Sequence, residues 1–143
     1  MIKQTIPIVD KQGTIWYVIN NKLHREDGPA IEYTSEYKAW WVNGKRHRTD
    51  GPAVEYYSGY KSWYIDGERH RTDGPAVERA DGYKAWWVDD KLHRTDGPAI
   101  ELVNGNKIWC VNDKSITMEN YRKFMNKHPD LINQFLAYQA LAI

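Results

Sequence analysis

Histidine, arginine and two carboxylates recur together four times in this chain. His24, His47, His70 and His93 stand 23 residues apart. Each is followed at once by Arg25, Arg48, Arg71 or Arg94, then by Asp27, Asp50, Asp73 or Asp96, and later by Glu32, Glu55, Glu78 or Glu101. A His-x-x-Asp pair suits metal ligation or acid–base work, and an arginine row suits phosphate recognition. Spacing argues against the metal. Strands lie about 4.8 Å apart, so at two strands per unit equivalent histidines sit roughly 10 Å apart, too far to share a metal at bonds of about 2 Å. No unit holds a second histidine or a cysteine pair. No metal or cofactor is predicted, and the histidines read as scaffold. The arginines alternate with carboxylates, so each rung neutralises much of its own charge. Interlocking ladders of these pairs are expected to hold the loops in register. The competing use is a ligand row for a nucleotide or nucleic acid, built from Arg25, Arg48, Arg71 and Arg94 with His47 and His70, with the aromatic rungs stacking bases.

These residues need elements to position them, and the 23-residue period dictates what those are. A fixed period in this range means a repeat architecture. In Tyr60–Asp66, strand alternation sends Tyr60, Ser62 and Tyr64 one way and Lys61, Trp63 and Ile65 the other. The first face is aromatic, small, aromatic, as it is in Tyr37, Ala39, Trp41 and in Tyr83, Ala85, Trp87. The other face stacks Trp40, Trp63, Trp86 and Trp109, which predicts burial on both sides. Hairpin turns are predicted at Asn43-Gly44, Asp66-Gly67, Asp89-Asp90 and Asn112-Asp113, whose residue types accept positive φ. Asp-Gly-Pro breaks each returning segment, with Gly tolerating unusual angles and Asp50 taking local backbone N–H groups. A second strand is expected from Ala53 to about Tyr57, then a turn at Ser58-Gly59. Trp16 precedes His24 by one residue more than Trp40 precedes His47, which suggests an inserted residue in the Ile19-Asn20-Asn21 turn.

The ends differ from the middle. Ile6–Val9 and Asp10–Gly13 read as a strand and turn, so residues 1–14 form a partial-repeat cap. Residues 15–114 hold four repeats and the start of a fifth. Residues 115–143 read as a helical cap: Thr117 as N-cap with Glu119 in the first turn, a break at His128-Pro129, then helical spacing of Leu131, Ile132, Phe135, Leu136 and Tyr138. The fold class is mainly β, an elongated tandem array of antiparallel hairpins with a C-terminal helical cap.

Composition narrows function. Net charge is +1, from 20 basic and 19 acidic residues, which gives little pull toward nucleic acid or anionic membrane. The single cysteine, Cys110, excludes an internal disulfide and suits the cytoplasm. It stands where other units have Trp or Tyr, so it reads as core. No apolar run reaches membrane-spanning length, so no membrane insertion is expected. There is no Gly-rich phosphate loop and no nucleophile elbow, and no enzymatic activity is predicted.

Tyr37-x-Ala39-x-Trp41-x-x-Gly44-x-x-His47 and Tyr60-x-Ser62-x-Tyr64-x-x-Gly67-x-x-His70 resemble the MORN repeat. The resemblance spans roughly Ile15 to Asp113. It implies a row of antiparallel hairpins that binds protein partners or lipids. Arg follows His here where that pattern has Gly, and the Asp-Gly-Pro-Ala-(Ile/Val)-Glu segment is foreign to it. In these respects the chain is similar to tandem-repeat proteins of bacteriophages and large DNA viruses, which implies a viral origin and a host-cell cytoplasm.

The positions that vary between units point to a binding edge. They lie at equivalent turns and just after the hairpin turns: Glu36, Lys45, Arg46, Glu68, Arg69, Arg79, Asp81 and Lys91. The expected function is a non-catalytic scaffold binding a host protein, as a defence inhibitor or antitoxin-like neutraliser. Pairing with a second copy is compatible with an open-ended array.

Overall fold

A computed structural model describes residues 5–34, 36–115, 117–127 and 129. The protein is mainly β, an elongated array of antiparallel hairpins. Ten strands lie side by side in chain order. They are Ile6–Val9, Ile15–Ile19, Ile31–Tyr33, Tyr37–Ala39, Val54–Tyr56, Lys61–Ser62, Val77–Glu78, Lys84–Ala85, Ile100–Glu101 and Lys107–Ile108. Between them the chain leaves the sheet as short two-stranded ribbons, for example Trp41–Val42 with Lys45–Arg46 and Tyr64–Ile65 with Glu68–Arg69.

The predicted single strand across Tyr60–Asp66 is therefore broken. Lys61–Ser62 belongs to the sheet and Tyr64–Ile65 to a ribbon. Trp63 is the hinge: its N–H donates to the Ala76 carbonyl at 2.8 Å, and its own carbonyl accepts from His70 at 3.2 Å. Successive ribbons are stitched by backbone bonds, Gly67 N–H to the Arg46 carbonyl at 2.9 Å and Arg48 N–H to the Tyr64 carbonyl at 3.1 Å. The ribbon turns behave as predicted. Asn43 and Gly44 have φ of 51° and 79°, and even Asp89-Asp90 adopts 49° and 57°, the positive pair a tight hairpin requires.

Register lines up residues across the whole sheet. One row runs Ile8, Trp16, Ile31, Ala39, Val54, Ser62, Val77, Ala85, Ile100, Ile108. From Ile31 to Ala85 it alternates β-branched with small, and every member there is buried. The small positions leave room for Trp41 and Tyr64, which fold back from the ribbons onto the cluster of Ile31, Ala39, Ala53 and Val54. Large and small swap at both ends. Trp16 with Val18, and Ile108 with Cys110, stand where the middle units have Ala39 with Trp41 and Ala85 with Trp87. The exchange keeps roughly constant volume in the layer. Cys110 is buried, as predicted.

The insertion expected near Asn20 is absent. Arg25 stacks on Tyr17 as Arg48 stacks on Trp40, so Tyr17, and not Trp16, is the counterpart of Trp40. The first unit keeps the period, and Asn20-Asn21 is its ordinary turn, with φ of 51° and 58°.

A parallel row alternates charge: Glu32, Lys38, Glu55, Lys61, Glu78, Lys84, Glu101, Lys107. Opposite charges face each other at every step, which favours this register. At the N-terminal edge, Tyr17 bonds inward, its N–H to the Ala30 carbonyl at 2.8 Å and its carbonyl to His24 N–H at 3.0 Å. Its partner Pro7 therefore turns its backbone outward, where it has no N–H to offer a further strand.

At the other end, helix α1 spans Met118–Asn126. Thr117 caps it as expected, its hydroxyl accepting the Asn120 N–H at 3.3 Å. The second helical segment, with Leu131, Ile132, Phe135, Leu136 and Tyr138, and its boundary at His128, lie outside the described residues.

Candidate functional site

The His-Arg-x-Asp-Gly-Pro segments form four near-identical loops. In each, the guanidinium lies over a ring: Arg25 over Tyr17, Arg48 over Trp40, Arg71 over Trp63 and Arg94 over Trp86, with Cζ 3.9–4.0 Å from the centroid. Arg48 Nε donates to Asp50 at 2.7 Å, and Nη1 donates to the Pro52 carbonyl and to Glu55, both at 3.1 Å. Arg71 repeats this with Asp73, Pro75 and Glu78. Hydrogen bonds from these arginines hold the carboxyls of Asp27, Asp50 and Asp73 below the usual range.

Three expectations about these loops need correcting. The ion pairs close within one loop and do not interlock neighbouring rungs. Gly28, Gly51, Gly74 and Gly97 also do not adopt left-handed angles. They are glycine for space: a Cβ on Gly51 would stand 2.9 Å from Arg48 Cζ. The chief partner of Asp50 is likewise the arginine two residues back.

The histidines make the link between units. His47 Nδ1 lies 2.9 Å from Asp66 Oδ1 and 3.1 Å from the Asp66 N–H, both in the next unit's ribbon turn. His24 does the same with Asn43 and His70 with Asp89, and His93 Nδ1 lies 3.0 Å from Asn112 Oδ1. Each ring clamps the turn of the following unit. Among the described residues no three His, Cys, Asp or Glu side chains gather as a metal site would require.

The residues expected at a variable edge are not brought together. Lys45, Glu68 and Lys91 are exposed near the ribbon tips, and the Lys45 stem lies against Gly67. Arg46 and Arg69 turn inward instead. Arg46 sits over Trp41 and Tyr64 at 5.1 and 5.3 Å, and Arg69 over Trp87 at 4.6 Å. Glu36, Arg79 and Asp81 lie at hairpin turns, the last two as an ion pair at 2.6 Å.

What gathers is a set of tyrosines. Tyr33, Tyr37 and Tyr56 share one cross-strand row. Tyr37 and Tyr56 have centroids 4.7 Å apart, and Tyr56 and Tyr60 5.7 Å. Tyr57 is 87% exposed. A cleft of about 420 Å³ opens among Arg46, Val54, Tyr56, Ser58, Tyr60 and Tyr64. Burial pushes the Tyr37 phenol up. Burial would do the same to Tyr64, but Arg69 donates to its hydroxyl at 3.4 Å, and the net shift is downward. The next units have Arg79 and Leu102 at the Tyr33 and Tyr56 position and keep only Tyr83 at the other, so the tyrosine patch is densest on the second and third hairpins. Its signal in the sequence is that Tyr33 and Tyr56 stand where the later units have Arg79 and Leu102.

No family model and no curated protein matches the chain.

Proposed function

We propose that this chain is a non-catalytic, MORN-like repeat scaffold that binds a protein partner through the tyrosine face of its second and third hairpins. The observation that carries this is the packed set of Tyr37, Tyr56 and Tyr60 beside the cleft that Arg46 lines, with Tyr33 in the same cross-strand row and the exposed Tyr57 next to Tyr56 in the chain. Tyr and Arg dominate the energetic centres of protein interfaces, because a stiff amphipathic ring buries much area at little entropic cost. On the resemblance to viral repeat proteins, the partner is a host protein.

An arginine row reading phosphates has less support. Each guanidinium is stacked on a ring and already donates to Asp and a carbonyl, and only 13–21% of these side chains is exposed.

The test is a photo-crosslinking residue at position 57 in host lysate, compared with one at Thr72. The expected result is a protein adduct specific to position 57 that is lost in a Tyr56→Ala, Tyr60→Ala variant with unchanged circular dichroism. Equal capture from both positions, or from wild type and variant alike, overturns the reading.

A further inference from the structure

The opposite side of the array carries three equivalent grooves, each between consecutive His-Arg-x-Asp-Gly-Pro loops. Their volumes are about 660, 620 and 630 Å³. The first has Trp40 and Val42 among its lining, the second Trp63 and Ile65, the third Trp86 and Val88. The tyrosine cleft contributes to none of them.

Two quantities define an occupant. The first is pitch. Successive grooves are two strands apart, about 9.6 Å. A polyproline II chain rises about 3.1 Å per residue with three residues per turn, about 9.3 Å. Across the three grooves the two pitches drift by about 0.6 Å, so every third side chain of such a segment meets a groove. The second is charge. The groove arginines are about one-fifth exposed, while the Asp27, Asp50 and Asp73 side chains are 84%, 81% and 82% exposed. No lysine lines any of the grooves; those of the sheet ladder face glutamates across the strands. Each of these carboxylates is ion-paired with the arginine of its own loop, but it is the more exposed partner, so the charged group nearest solvent at each opening is a carboxylate, with an indole in the same lining. That combination suits a cation on an apolar stem, which places its methylenes on the ring and its charge at the carboxylate.

We infer that the groove row is a docking track for an extended, proline-rich peptide segment bearing Lys or Arg at every third residue. This surface is independent of the tyrosine face, so the two can fail separately.

The experiment uses the full chain and two peptides of one composition, one of repeated Lys-Pro-Pro triplets and one with all lysines at one end. Affinity is read by fluorescence anisotropy, and the position of binding by the indole N–H signals in NMR. The triplet peptide is expected to bind at least about tenfold tighter, since engaging three grooves multiplies weak contacts. It is expected to shift Trp40, Trp63 and Trp86. An Asp50→Asn, Asp73→Asn variant keeps an acceptor for each arginine and is expected to bind several-fold more weakly. Equal affinity for the two peptides, no binding of either, or shifts centred on the tyrosine hairpins would overturn the inference.

Discussion

Replacing Gly74 with alanine tests the loop architecture most directly. The new Cβ would stand 2.9 Å from Arg71 Cζ and 3.1 Å from Nε and Nη2, where carbon contacts want about 3.5–4.0 Å. The guanidinium must move off Trp63, on which it lies at 4.0 Å, and away from the Pro75 carbonyl and Glu78, both at 3.0 Å. A cation–π stack contributes about 1 kcal/mol, a charged hydrogen bond to a carbonyl about 1.5 kcal/mol, and a solvent-screened ion pair about 0.5 kcal/mol. Against this, alanine at a backbone angle it can adopt stabilises by about 0.4–1 kcal/mol through the unfolded chain. The expected net loss is about 2 kcal/mol, read as a lower midpoint in urea unfolding followed by tryptophan fluorescence. The decisive arm is the double-mutant cycle. With Arg71→Ala already present, Gly74→Ala has nothing to displace and is expected to be neutral or stabilising by up to about 1 kcal/mol. A loss of about 2 kcal/mol in both backgrounds would show that the glycine is needed for its backbone and not for its space.

Other consequences follow from the same contacts. His47→Ala removes the ring nitrogen that holds the Asp66 turn, 2.9 Å from Oδ1 and 3.1 Å from the backbone N, so faster hydrogen exchange at the Asp66 amide is expected, with a loss of about 1 kcal/mol in stability. Asp27, Asp50 and Asp73 have carboxyls lowered in the folded state by their arginines. As pH falls the unfolded chain takes up these protons first, so their contribution is full above the ordinary carboxylate range and is lost progressively below it. A triple Asp→Asn variant is expected to show a shallower acid limb in melting temperature against pH, with an unchanged limb refuting the linkage. Burial raises the Cys110 thiol, so an aromatic disulfide reagent is expected to modify it at neutral pH only as fast as the protein opens; rapid labelling of the native protein would contradict its placement in the core.

Much of this architecture was legible in the sequence. The 23-residue period gave the array, the Asn-Gly and Asp-Gly pairs marked the ribbon turns, and the small residue between two aromatics identified Ala39, Ser62 and Ala85 as points of close packing. What escaped were relations that a repeat conceals. Trp63 changes partners in mid-strand, because hydrogen bonds to its own unit's return segment replace those of the sheet, and alternation alone does not reveal such a hinge. His47 could be seen as scaffold, but its partner Asp66 lies in the following unit, and a strict period offers no clue as to which copy a side chain reaches. Comparing the units position by position marked Arg46 and Arg69 as variable, yet both turn inward, because a long cationic stem beside Trp41 or Trp87 finds a ring to cover. The tyrosine patch arises the other way, from residues of neighbouring strands that become adjacent only when the sheet forms.

The histidine clamp always points toward the C-terminus, and this gives the array a grammar of length. Every interior unit supplies a ring to its successor and a turn to its predecessor, so excising one whole 23-residue period rejoins equivalent partners and leaves every clamp filled. The incomplete fifth unit is the terminator of that grammar, since Asn112 supplies the turn that His93 grips. A lineage carrying this design can lengthen or shorten by unequal recombination without inventing a new contact. It can also leave a local mark such as the tyrosine patch on chosen units while the others serve as spacers.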